Sequence, residues 1–551
     1  MLKNMKPIGW LMALLALTTL ACISSDSSNS SSPPPNDAVV VNVAANTSLT
    51  PWLTTAVTEF NASATQTSDG DPIYINLIPT DAGQAISDIQ NGATPIHLWI
   101  PDDPVWTAVL AEQGNPNFQR NCTSIAQSPL VIAMWRDIAE ALGWPGLPLG
   151  WLDIGSLAAD PAAWNYYSGG ELGQTFRLGH THPGLSGSGA STLLALVQAA
   201  QSKTDAITAS DIQQPIVQAS VGAFEGGVSY FSPNTQSLTS AMSSRGLEYL
   251  SGGVMYESDV AHYGNGNLAA IYPLEGTFMA SHPACIHNTL SGPTLEAALA
   301  FRDYLLSEPA QQMALANGLR PVHTAVPIAA PLDAAHGVDP TQPTIIFPSP
   351  TVDTLYGVQE LWQQARKDVN LTMLLDTSGS MRGSKIEGMR EAATQFVQQM
   401  GEEDYISIIA FSTEPQLVID HIQVGPNRQK IINAITNLPA EGDTTLYDAI
   451  GDGAEQLRLT TLPSTTNALV VLSDGQDTRS YRFDAQSAAG QAVANGVTVF
   501  TIAYGGDADE RTLSTLAQWT NGNYYEGDEA SIAAIYEEMS AAFGGNVGIG
   551  R

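Results

Sequence analysis

Hydrophobic positions along this chain alternate between two rhythms: short unbroken apolar runs, and longer stretches in which apolar residues recur on one helical face. The first rhythm marks buried strands and the second marks amphipathic helices. Residues 39–43 form a buried-type strand, Asn46-Thr47-Ser48 supplies polar turn residues, and Pro51 opens a helix carrying Trp52, Leu53, Ala56, Val57 and Phe60. Residues 73–78 form the next strand, and Asp81 is placed to cap a helix with Ile86 and Ile89 that ends at Gly92. Residues 96–100 make a third strand. This βαβαβ order predicts a parallel sheet with its polar loops gathered on one edge.

The pattern then leaves this sheet. PLVIAMW (129–135) reads as a strand that begins a new α/β region, with a strand near 176–181 and a helix from about residue 187. A strand at 268–272 and helices at 295–306 and 309–317 close the unit. A domain entered once, left for a second lobe and then re-entered is a two-lobed clamshell. Residues 38–325 resemble bacterial extracellular solute-binding proteins of the periplasmic-binding-protein type with two crossover strands. The resemblance rests on segment order, on SPLVIAMW, on LGWPGLPLGWLDI (142–154) and on the closing FRDYLLSEPAQQMALANGLRPV.

Residues 326–350 are Pro-rich and aperiodic and read as a linker, followed by a short helix at 352–366 with Leu355, Val358, Leu361 and Trp362 on its apolar face. A second α/β series starts at 369. Strands are expected at 371–375, 405–411, 417–422, 468–472 and 497–502, with a helix at 386–400 whose apolar face holds Ile386, Met389, Phe396, Val397 and Met400. No tandem repeat is evident.

The chain begins with an address. Lys3 and Lys6 precede an apolar run at 8–20, too short for a comfortable membrane span, which reads as an export signal. It ends in Thr19-Leu20-Ala21-Cys22, which resembles the lipobox of bacterial lipoproteins, with Thr19 where leucine is usual. The resemblance implies cleavage and acylation of Cys22. The Ser/Pro segment at 23–37 (ISSDSSNSSSPPPND) reads as a polar tether. The expected organisation is therefore a signal at 1–22, a tether at 23–37, a solute-binding-like domain at 38–325, a linker and helix at 326–367, and a second domain at 368–545. The expected location is the bacterial cell envelope, exported and anchored in a membrane by lipid.

With 21 basic against 54 acidic residues the formal net charge is −33, which argues against nucleic acid as a partner. Solubility outside the cell accounts for such a charge, and cation attraction is the sharper alternative. Three cysteines exclude a disulfide scaffold, and no CxxC pair suggests structural zinc. Export favours a bridge between Cys122 and Cys285, each near one of the expected crossovers.

The strongest local signal is LLDTSGSM at 374–381, in which an apolar strand delivers one carboxylate and two hydroxyls into the turn before a helix. Hard oxygen ligands on a tight glycine-containing loop suit a small hard cation. GDTTLYD (442–448) and VVLSDG (470–475) have the same strand-end placement, and in a doubly wound sheet all three loops meet at the carboxyl edge. Residues 368–545 closely resemble the von Willebrand factor A domain, a doubly wound Rossmann-like fold, and its metal-ion-dependent adhesion site. Carried over by motif, Asp376, Ser378 and Ser380 form the DxSxS loop, Thr444 is the threonine of the second loop and Asp474 the aspartate of the third. The resemblance implies Mg²⁺ (or Mn²⁺) as cofactor and a protein partner that presents an acidic side chain to it. Asp443 stands where glycine commonly precedes the threonine, so Thr445 competes with Thr444 for the role.

The first domain's candidate cleft loops are 46–48, 101–103, 180–189, 256–259 and 274–276, with Thr47, Ser48, Ser186 and Glu257 as ligand contacts for a small polar solute. Ser186 and Ser188 precede a helix whose free N–H groups favour an anionic or polar ligand, whereas nearby carboxylates favour a cation or a polyhydroxy compound. His180 and His182 are read as hydrogen-bonding loop backbone rather than ligating metal. Catalysis has little support: GLSGSG fails the GxSxG elbow, and no Walker loop, HExxH or GxGxxG is present. The expectation is a binding protein rather than an enzyme. A solute receptor feeding an ABC importer is the alternative, and a hydrolase using cleft carboxylates a weaker third.

Overall fold

The computed structural model describes residues 34–545 apart from 93, 119–121, 174, 248, 463–464, 475 and 521, so Cys22, the signal and most of the tether lie outside it. The first sheet runs Ile73–Pro79, Val39–Ala45, Leu98–Ile100, Pro283–Ile286, Cys122–Ser124. Its first three strands are parallel, as the βαβαβ reading requires, and the last two are antiparallel to their neighbours. Helices Thr50–Ala62, Gly292–Leu305 and Glu308–Ala316 cover it, and Trp52 donates its indole N–H to the Ala310 carbonyl at 3.0 Å.

The second sheet is built on Ser128–Trp135, which is buried at seven of its eight positions, because helices or loops cover both of its faces. Gly252–Tyr256 and Leu268–Ile271 flank it, with Leu178–Thr181 and Val228–Ser232 beyond Gly252–Tyr256. The chain crosses between lobes at 124–128 and again at 280–283. Cys122 lies opposite Cys285 in register, with Cα atoms 4.1 Å apart and the sulfurs bonded, so the bridge ties two first-lobe strands beside the crossovers.

The structure corrects the linker reading of 326–350. Leu332, Val338 and Phe347 are buried, and the extended backbone is sewn to the second lobe by Ala270 N to Gly337 O, Thr277 N to Ile345 O and Phe347 N to Thr277 O. A segment held by main-chain bonds needs no side-chain periodicity, so none announces it. Helix Val352–Ala365 follows and buries Leu355, Val358, Leu361 and Trp362 in the same core as helices Gly187–Gln201 and Pro215–Gly227.

The third sheet runs Pro415–Gln423, Tyr405–Phe411, Val369–Asp376, Thr466–Ser473, Thr498–Tyr504, Tyr524–Gly527, parallel except for its first strand. Helices Ser384–Gln399, Val424–Thr436 and Ile532–Ala542 pack on one face, and Leu446–Leu459, Ala485–Ala494 and Glu510–Trp519 on the other. The central strand Val369–Asp376 is buried along its whole length. Contacts with the clamshell gather at the amino ends of these strands. Arg366 pairs with buried Asp404 at 3.1 Å, Arg245 donates to Asn523 and Gly522, and His182 bonds the Gly545 carbonyl at 2.8 Å. The carboxyl ends point the other way.

Candidate functional site

At that free rim, strand Val369–Asp376 ends on its carboxylate. Asp376 is fully buried; its Oδ1 accepts the Ser378 N–H at 2.9 Å and its Oδ2 the Ser473 hydroxyl at 2.6 Å. Ser378 Oγ stands 2.9 Å from Ser380 Oγ, which donates to Asp474 Oδ1 at 2.7 Å. Gly379 N–H bonds the Gly442 carbonyl at 3.0 Å, so the second loop lies against the first. In that loop Thr445 spends its hydroxyl on the Ser412 carbonyl at 3.0 Å. The backbone of Thr444 is pinned by the Thr478 hydroxyl and by the Thr478 and Arg479 amides.

These residues fit a small dication. Adjacent ligands of an octahedral ion at 2.0–2.1 Å stand about 2.9 Å apart, and the Ser378 and Ser380 hydroxyl oxygens stand 2.9 Å apart. Burial pushes the Asp376 carboxyl up to about 6, against hydrogen bonds from Ser378 and Ser473 that pull it down, and a dication would offset that burial penalty. Ser378, Ser380 and Thr444 would hold the ion, with Asp376 and Asp474 behind them. Lys385, which sequence reasoning missed, reaches Asp474 Oδ2 at 2.7 Å and Asp507 at 2.8 Å, orienting Asp474 so that Oδ1 faces Ser380. Asp443 pairs with Arg479 at 3.2 Å on the surface.

Between the lobes of the clamshell a second polar cluster is closed on itself. Asp81 begins helix Ala82–Asn91, but its side chain makes no cap bond there. Instead Oδ1 accepts the Thr47 N–H at 3.0 Å and hydroxyl at 2.6 Å, and Oδ2 accepts the Ser186 hydroxyl and the Thr235 N–H and hydroxyl, both at 3.3 Å. Thr47 and Asp81 belong to the first lobe, Ser186 and Thr235 to the second. The helix's own free amides, Gly83 N and Gln84 N, bond the Leu185 carbonyl across the same gap at 2.9 and 3.1 Å. Beside them Asp102 accepts the Tyr256 phenol at 2.9 Å, and burial, then neighbouring Asp103, push its carboxyl up to about 7.

The other two expected contacts do not join this cluster. Ser48 turns both its N–H and hydroxyl to Asn46 Oδ1, at 3.0 and 2.6 Å. Glu257, fully buried, is engaged by Arg320 at 2.7 Å and by the Tyr272 phenol at 2.5 Å. Its loop is the start of helix Glu257–Tyr263, so an ion pair, not the cleft, takes its carboxylate. His182 accepts the Gly184 N–H and bonds the Gly545 carbonyl, and burial holds its pKa down to about 3, as a neutral backbone-bonding ring requires. Asp81 was legible only as a helix cap; the residue type gave no sign that its partners would come from the other lobe.

Fold and sites together define an α/β binding protein in two parts, a clamshell and a doubly wound domain with an oxygen-rich rim. The chain belongs to the bacterial extracellular solute-binding protein family, whose model matches residues 41–320, more than half its length; the von Willebrand factor type A domain model matches 370–538. That solute-binding family implies an exported protein of a binding class. Over 187 residues the chain is 28% identical to inter-alpha-trypsin inhibitor heavy chain H3 from Mus musculus, covering 31% of this chain and 21% of that one. Over 197 residues it is 25% identical to heavy chain H4 from Sus scrofa, covering 34% and 21%. The match thus spans about a fifth of the length of these curated relatives. Among solved structures it is similar to a von Willebrand factor type A protein from Catenulispora acidiphila (21% identity, TM-score 0.30, covering 32% of this chain and 42% of that one). It is also similar to a ferric binding protein from Campylobacter jejuni (10% identity, TM-score 0.41, covering 59% and 99%).

Proposed function

We propose that this is a bacterial surface protein, held to a membrane through acylated Cys22, whose C-terminal domain docks a protein partner through Mg²⁺ (or Mn²⁺). The observation that carries the reading is the convergence of Asp376, Ser378, Ser380 and Asp474 at the rim opposite the clamshell. Neutral hydroxyl donors leave a dication under-compensated, so an incoming carboxylate gains a direct bond to it. The N-terminal cleft, lined by Thr47 and Ser186, takes a small polar solute in an open form. No helix among the described residues is long and apolar enough to cross a membrane, and the anchor rests on the lipobox alone.

Calorimetric titration of the full chain with Mg²⁺ and Mn²⁺ tests the metal. Asp376→Ala is expected to lose binding at least tenfold while its circular dichroism is unchanged, because Asp376 is the last residue of its strand and its carboxylate bonds the Ser378 amide and the Ser473 hydroxyl at the rim. Equal heats for both proteins would exclude an operating site. Cys22→Ser is expected to move the protein from the membrane fraction to the soluble one; its retention in the membrane would exclude the lipid anchor.

A further inference from the structure

The closed cleft has the chemistry of an anion site with a carboxylate already in it. Five hydrogen bonds, two from N–H and three from hydroxyl groups, converge on Asp81. Two of the donor residues sit where helices begin: Ser186 immediately precedes Gly187–Gln201, and Thr235 opens Thr235–Arg245. Donors aimed at one point from helix starts favour negative charge there, and a cation would want acceptors instead. One residue before Thr47, the buried Asn46 leaves its side-chain N–H₂ without a partner among the described residues, a spare donor beside the cluster. Asp81 comes from the first lobe and two of its three partner residues from the second, so the contact also fastens the lobes together.

We propose that Asp81 is a tethered occupant of this site: its carboxylate stands where a free small carboxylate would bind, and the cleft admits one only when Asp81 withdraws. This rests on the solute-binding reading of the cleft and narrows the solute to an anion of the carboxylate class. A tethered group competes at an effective concentration of order millimolar or more, so the intact protein resists free anions and opens only to a solute that outbids its own side chain. The device is autoinhibitory; burial raises the pKa of the Asp81 carboxyl above its ordinary value, and the hydrogen bonds from Ser186, Thr47 and the Thr235 amide pull it back only in part.

Removing the side chain with Asp81→Gly leaves a gap of the size of acetate, at a helix start where glycine is tolerated. The full chain carrying this change is expected to gain acetate binding at least tenfold tighter than the unaltered protein, by calorimetry and by a rise in melting temperature against chloride at equal ionic strength. Acetate binding equally well to both proteins, or to neither, overturns the proposal. Asp81→Asn, which keeps the shape but points an N–H₂ at donors, provides a second arm should the glycine variant not fold. Hydrogen exchange at the Gly83 and Gln84 amides, bonded across the gap, is expected to accelerate at least tenfold, and unchanged exchange counts against the latch. A polar solute bound by the unaltered protein, with Asp81→Gly blind to acetate, would refute the tether and leave the solute reading standing. No solute bound by either protein, with faster exchange in Asp81→Asn, would refute that reading and with it the carboxylate class.

Discussion

A methyl group added at Gly83 would lie 2.1 Å from the Gly184 carbonyl oxygen, across the gap between the lobes. Alanine is a better helix former than glycine, so Gly83→Ala is expected to fold and to hold the lobes apart. X-ray scattering should show a larger radius of gyration with the far-ultraviolet spectrum unchanged; an identical radius would mean that the neighbouring loop yields instead. Asp102 carries a second residue-scale prediction. Its pKa stands at about 7, above the ordinary 3.8, so the folded protein holds a proton that the unfolded chain has lost. Stability therefore falls as pH rises from about 4 to about 7, by up to about 1.4 kcal/mol per pH unit for one proton. Asp102→Asn, neutral at every pH, is expected to flatten that slope in denaturant titrations; an unchanged slope would assign it to other carboxyls. Asp102 was read from the sequence only as part of a cleft loop, since burial, which shifts it, is a property of the closed fold.

At the scale of elements, strongly patterned segments were legible and sparsely patterned ones were not. Tyr405–Phe411 and helix Ser384–Gln399 lie where apolar runs and helical spacing placed them, within two residues. Strands Cys122–Ser124, Met279–Ala280 and Tyr524–Gly527 are two to four residues long and were missed, because so short a run has no measurable period. The stretch 326–350 was read as linker for a related reason: its backbone bonds to the second lobe while its side chains follow no rule. Helix Val352–Ala365 was expected, but its role was not. Trp362 is buried against His182 and Phe231 of the second lobe and donates its indole N–H to Glu225 at 3.0 Å, while Arg366 at the helix end pairs with Asp404 of the other domain, so this helix is the clasp between the two. Trp362→Ala is expected to destabilise the chain by about 3–5 kcal/mol and to expose the 352–365 segment to protease. A melting curve unchanged from that of the intact protein would show the clasp to be dispensable.

Across the whole molecule, the amino ends of the third sheet face the clamshell and the carboxyl ends face away. The oxygen-rich rim thereby lies away from the clamshell, while Arg366 and Asp404, His182 and Gly545 occupy the join. The bridge between Cys122 and Cys285 spans 163 residues of chain and encloses every strand of the second lobe's sheet. Denatured, unreduced protein should present no free thiol from this pair, and reduction should lower stability by about 2–5 kcal/mol; two titratable thiols before reduction would refute the bridge.

The sequence by itself determined the two-part α/β architecture, because alternation of apolar runs and amphipathic faces is a local record of which sides of each element are buried. It also placed Asp376, Ser378, Ser380 and Asp474 at one rim, because these residues sit at strand ends within short motifs. Tertiary structure alone decided what the buried carboxylates do. Asp81, Asp102 and Glu257 look alike along the chain, yet one latches two lobes, one is driven toward its neutral form and one completes an ion pair with Arg320. A carboxylate's role is set by which donors meet it and how much water is excluded, and those partners lie from 15 to 154 residues away in sequence.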